Sequence, residues 1–127
     1  MSSESVSNRL EPTSLISGRL DPAKKRLHAE VRDEVTSTQV PTLRQGLKKI
    51  LESADKEAWD SLFLDMRSTR MVDSMGINWL FAETVRLKDA NKKMVVRISS
   101  PAINRVMEFA GLDRMVTLKF RRRKQTR

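Results

Sequence analysis

Between Ser61 and Met66 the chain reads Ser-Leu-Phe-Leu-Asp-Met, a nearly continuous apolar run of strand length, and soon after it a helical period begins. An apolar run of this kind is the pattern of a strand covered on both faces. From Ile77 the large apolar residues recur at Leu80, Phe81, Val85 and Leu87, roughly the 3.6-residue repeat of one buried helix face. A buried strand that leads into an amphipathic helix requires a layered α/β arrangement.

The junction between them is Val72-Asp73-Ser74-Met75-Gly76. Ser74 stands where an N-cap is expected, its oxygen able to accept from the free N–H groups of the first turn. A phosphate on Ser74 would lie at the positive end of the helix dipole, so the fold would tolerate it while the surface gained about two negative charges. On a wheel begun at Ile77, Met75 and Trp79 fall four residues apart on the face turned away from the main stripe, and Ala82 extends that strip. Met and Trp are enriched at the centres of interfaces, so this strip is expected to dock a partner. The plainer readings are that Ser74 only caps its helix and that a neighbouring loop covers Met75 and Trp79.

The same alternation continues on either side. Residues 1–12 are polar and serine-rich and are expected to be mobile. Thr13–Leu20 and Arg26–Arg32 read as a hairpin at a sheet edge, turned at Asp21-Pro22, with His28 on the polar side of its strand. Val40, Leu43, Leu47, Ile50, Leu51 and Ala54 mark an earlier helix with Pro41 in its first turn. Trp59 reads as a packing residue at the entrance to the central strand. Met94–Ile98 is a further buried strand, Ser100-Pro101 starts a helix that Gly111 stops, and Met115–Phe120 has the composition of a last strand. The fold class is α/β, a mixed sheet with crossover helices in the order β-β-α-β-α-β-α-β. The sheet should be parallel wherever a helix intervenes and antiparallel at the opening hairpin. The domain spans 13–118, with a basic tail from 119 to 127.

At 127 residues this is one domain with enough chain to bury a core. No cysteine is present, which removes disulfides and thiolate metal sites and suits a reducing compartment. No stretch has the length and apolarity of a membrane span, and the N-terminus lacks the regions of a signal peptide, so a soluble cytoplasmic protein is expected. The net charge is +9, of which Lys119, Arg121, Arg122, Arg123, Lys124 and Arg127 supply six. A terminal run of this type is expected to be a solvated segment rather than a nucleic-acid site, and Phe120 alone interleaves it, which disfavours stacking on single strands.

Catalytic chemistry has little to work with. Four glycines cannot build a phosphate-cradling loop or a dinucleotide fingerprint, and neither motif occurs. The one histidine has no cysteine or second histidine to complete a metal site or a nucleophile-base pair. Asp65 and Asp73 flank the strand-to-helix connection without a spacing that marks them as an acid–base pair. The expectation is a binding protein with no cofactor and no metal, not an enzyme.

Leu62–Met66 with Asp73-Ser74-Met75-Gly76, Ser100-Pro101-Ala102-Ile103 with Arg105-Val106, Gly111-Leu112-Asp113 and Val40–Arg44 together resemble the STAS domain, in particular bacterial anti-sigma factor antagonists. The resemblance covers about Leu15 to Leu118. It implies that Ser74, as the serine of the D-S-x-G segment, is phosphorylated by a partner that is both a serine kinase and an anti-sigma factor. The unmodified form would capture that partner and free the sigma factor, and a serine phosphatase would restore Ser74. Asp73, Met75, Gly76 and Trp79 are expected to touch the partner. Thr36 joins them, because Asp33-Glu34-Val35-Thr36 stands where family members have a G-E-L-D-like loop that faces the kinase. Other STAS domains are scaffolds of signalling assemblies, regulatory tails of anion transporters or subunits of lipid-transport systems. The alternative is therefore a scaffold or regulatory subunit whose Ser74 is structural.

Overall fold

The computed structural model describes residues 9–10 and 15–121. Its elements are β1 (Arg9–Leu10), β2 (Ile16–Asp21), β3 (Arg26–Val31), α1 (Val40–Ser53), β4 (Ser61–Asp65), α2 (Ser74–Asp89), β5 (Lys93–Ile98), α3 (Pro101–Phe109) and β6 (Thr117–Phe120). Single 3₁₀ turns lie at Pro22–Lys24, Lys56–Ala58 and Leu112–Arg114. The expected α/β order is present with one addition. The two-residue β1 pairs antiparallel with β2, Arg9 opposite Arg19 and Leu10 opposite Gly18, inside the segment read as mobile. The remainder of 1–12, and 122–127 of the basic tail, lie outside the described residues, while Lys119 and Phe120 belong to β6.

Strand order in space equals order in sequence, β1-β2-β3-β4-β5-β6. β2 and β3 form the antiparallel hairpin, and β3, β4, β5 and β6 are parallel neighbours. Crossovers between parallel neighbours are right-handed as a rule, so three successive steps in one direction send all three helices to the same face. The core follows from this. Leu27, Ala29, Leu62, Leu64, Met94, Val96 and Ile98 point to one side and are buried with Leu43, Leu47 and Ile50 of α1, Trp79, Leu80 and Leu87 of α2, and Ile103 and Met107 of α3.

β4 is covered on both faces, as its apolar run implied, but the helix layer lies on one side only. Phe63 points to the opposite face, where it is buried by side chains instead: Arg26 Cζ lies 4.4 Å and Arg97 Cζ 5.2 Å from its ring centroid, and the His28 ring is 5.4 Å away. An aromatic ring covered by arginine stems leaves the same apolar signature in sequence as one covered by a helix.

Local starts and stops follow the sequence. Ser100 caps α3, its Oγ accepting from Ile103 N at 3.2 Å ahead of Pro101. Gly111 ends that helix with φ at 81°, a left-handed conformation that favours glycine. Trp59 is buried at the entrance to β4, as expected, with Lys92 Nζ 4.4 Å from its ring centroid.

Candidate functional site

Two loops at the C-terminal ends of parallel strands, 32–39 after β3 and 66–73 after β4, are zipped to each other. Val35 and Val72 form a parallel bridge, Val35 N donates to Met71 O at 3.0 Å, and Asp73 N donates to Val35 O at 3.3 Å. The Glu34 carboxylate accepts from the backbone N–H groups of Arg70 and Met71, both at 2.8 Å. Thr69, buried, donates its hydroxyl to Asp33 O. The loop containing Thr36 is thus fixed beside the start of α2.

Asp73 is the keystone of the junction. One carboxylate oxygen accepts from Gly76 N at 2.9 Å and caps α2, and the other accepts from Ser37 N at 2.8 Å and holds the first loop. Those two N–H groups, Gly76 first, hold the Asp73 carboxyl below the usual carboxylate range. The N-cap is therefore Asp73, not Ser74 as the sequence pattern suggested. A carboxylate competes well for this position, and its charge suits the positive helix terminus. Ser74 becomes the first helical residue, exposed, and no hydrogen bond among the described residues engages its hydroxyl.

Gly76 is buried against the zipped loops. A Cβ there would sit 2.1 Å from the Val35 carbonyl oxygen and 2.9 Å from Val35 Cγ1, so the close approach of helix and loop requires glycine. Thr36 is half-buried, its hydroxyl hydrogen-bonded to Gln39 Oε1.

The expected strip of Met75 and Trp79 is not found. Met75 is 46 % exposed, but Trp79 is fully buried, its indole N–H donating to Glu83 Oε2 at 3.1 Å. The buried stripe of α2 is Gly76, Trp79, Leu80, Glu83, Thr84 and Leu87, while Val85 of the expected stripe is exposed and Phe81 only half-buried. Met75 instead has Met71 as its neighbour in the junction sequence, and Met71 is 60 % exposed. Met71, Ser74 and Met75 are exposed along this junction, and Ser37, next to Thr36 in the neighbouring loop, is exposed and tied to Asp73. Glu34, Ser37 and Met71 were absent from the expected set. The signal for Glu34 lay in the same Asp33–Thr36 loop, as a carboxylate able to collect backbone N–H groups.

Asp65, at the end of β4, is chelated by Arg67 through Nε at 2.9 Å and Nη2 at 2.7 Å. Burial raises its pKa, but the Arg67 hydrogen bonds and charge outweigh this and leave it lowered. It is committed to that pair and makes no dyad with Asp73. The Asp73 carboxylate beside Ser74 is taken up by Gly76 N and Ser37 N, and His28 lies on the helix-free face of the sheet. Among the described residues no group of three His, Cys, Asp or Glu side chains could hold a metal ion, and no helix is long and apolar enough to cross a membrane.

The arrangement is that of a one-sided α/β module with a small loop-and-helix surface at its strand ends, on which Ser74 is exposed. The sequence profile of the STAS domain matches residues 27–126, and the chain belongs to that family. Solved structures agree. An anti-sigma factor antagonist from Mycobacterium paratuberculosis is 21% identical, with 87% of this chain and 89% of that chain covered at a TM-score of 0.66. The anti-sigma factor antagonist SpoIIAA in its unphosphorylated form is 12% identical, covers 80% of this chain and 83% of its own, and gives a TM-score of 0.54. The Bacillus cell fate determinant SpoIIAA in the phosphorylated form is 15% identical, with 80% and 89% covered and a TM-score of 0.55. The fold is that of the anti-sigma factor antagonists.

Proposed function

We propose that this chain is an anti-sigma factor antagonist controlled at Ser74. In the unmodified state the surface formed by Ser74, Met71, Met75 and the Thr36 loop captures a serine-kinase anti-sigma factor, and phosphorylation of Ser74 by that partner ends the capture. A serine phosphatase would reverse the modification. The observation that carries this reading is the division of labour between Asp73 and Ser74: the aspartate does the capping, so the exposed hydroxyl is left without a structural task.

The chemistry of the switch is electrostatic. A phosphate at the first helical position takes the N–H groups and partial positive charge of the α2 terminus, which limits the local cost. It also places about two negative charges next to the Asp73 carboxylate. A partner that fits the unmodified surface then meets like charge or must desolvate it, and affinity falls. The zipped loops and the Asp73 cap hold the backbone in place, so the signal is carried by surface charge without refolding.

The test is capture of partners from extracts of the native organism by the unmodified chain and by Ser74→Asp, with mass spectrometry of residue 74. Recovery of a serine kinase by the unmodified chain alone, with phosphate found on Ser74, is the expected result. Identical partner sets for the two proteins, with Ser74 never modified, would sink the switch and make the chain a scaffold with a structural serine.

A further inference from the structure

The topology that sends α1, α2 and α3 to one side leaves the other face of the sheet without a helix packed on it among the described residues. The register shows what stands there. From Ser17↔Glu30, Arg19↔His28, His28↔Phe63, Phe63↔Val95 and Asp65↔Arg97, this face carries Arg19, Arg26, Lys93, Arg97 and Lys119 among the strand residues, against Asp21, Glu30 and Asp65. Asp65 is already neutralised by Arg67. At the centre is a shallow depression of about 270 Å³ lined by Arg19, Arg32, Arg97, Glu30 and the Asp65–Arg67 pair, with Phe63 and His28.

We propose that this helix-free face binds single-stranded nucleic acid. Charge alone would suit any polyanion. The planar groups are what select a polynucleotide: the guanidinium groups of Arg26 and Arg97 are held over the Phe63 ring, and the imidazole of His28 lies tilted by 38° beside it. Unstacked bases stack on arginine planes and aromatic rings carried by an open sheet, while arginine and lysine at the edges take the phosphates. An acidic peptide would use the charges and leave those planes idle. Phe63 itself is buried beneath these groups, so the planes offered to a base are the half-buried guanidinium groups of Arg26 and Arg97 and the His28 imidazole. Burial, then Arg19 and Arg97, lower the His28 pKa, in keeping with a positive potential over the face.

The experiment is fluorescence anisotropy of a labelled oligouridylate with the full chain over a range of salt. Binding that weakens steeply with salt is expected, and Arg19→Glu with Arg97→Glu should weaken it at least tenfold and flatten the salt slope by about 0.7 per lost phosphate contact. The Arg19→Gln/Arg97→Gln pair gives the same direction if charge reversal compromises folding. Ser74→Asp should leave this binding unchanged, which separates it from the partner switch. Absence of binding at low salt would overturn the proposal. So would loss on deletion of 122–127 with no effect of the arginine variants, or displacement by polyglutamate as effective as by unlabelled oligouridylate, which would identify an acidic protein as the occupant.

Discussion

Gly76 and Asp73 do different work within one turn of helix. The glycine lets α2 press on the Val35 carbonyl, and the aspartate ties the helix start to Ser37. Gly76→Ala would force a methyl into backbone 2.1 Å away, which a carbonyl held in the Val35–Val72 bridge cannot easily vacate. We expect a loss of about 2 kcal/mol in urea unfolding, typical of overpacking, although alanine is the better helix former. An unchanged midpoint would mean that the loops yield. His28 sets a second expectation. Its pKa in the folded chain lies below the ordinary 6.5, so the folded state resists the proton that the unfolded chain accepts. Stability from this source is present above 6.5 and is lost as pH falls through that value towards the folded pKa. Thermal melts of wild type should therefore decline over this interval, above the carboxylate range, and those of His28→Gln should decline less. Equal slopes would count against it.

At the scale of elements, α2 was the hardest to read. The buried carboxylate of Glu83 interrupts the apolar period, so a stripe drawn through Phe81 and Val85 lies off the buried face. Glu83 is tolerated there because it accepts from Trp79 Nε1 and from Arg86 Nη1, the arginine reaching in from solvent. Removing it leaves the indole N–H buried and unpaired. Glu83→Ala should cost about 1–3 kcal/mol in chemical denaturation, whereas a surface glutamate would cost almost nothing. Elements with unbroken patterns were legible: α1 with its Val40, Leu43, Leu47 and Ile50 stripe, α3 between its Ser100 cap and Gly111, and the β2–β3 hairpin. The site was legible in part. Ser74, Met75, Gly76 and the Thr36 loop do come together, because the segment that joins β4 to α2 must pass the loop after β3. The exchange of capping roles between Ser74 and Asp73 was not legible, since either side chain can fill the position.

For the whole molecule, the alternation of strands and helices pointed to the parallel sheet, but not to which strand lies beside which. That order decides whether helices cover one face of the sheet or two, and among the described residues they cover one. It also grades stability across the sheet. β4 has neighbours on both sides and is covered by the core cluster on one face and by the arginine-capped Phe63 on the other, while β1 and β6 are edges. Native-state hydrogen exchange should find the slowest amides in β4 and the middle of β3 and β5, with β6 exchanging much faster through local opening. Uniform protection over all strands would show instead that the sheet opens only as a unit.

Because strand order in space repeats strand order in the chain, every strand pairs with the one made just before it. No strand has to slip between two that are already joined, and no loop must wait for a distant segment to arrive. As the polypeptide emerges from the ribosome, the hairpin can form first, and each following helix–strand unit can add to the exposed edge of what is already assembled. The growing point of the sheet is always its newest strand, so synthesis and folding can advance in the same direction from the hairpin to β6.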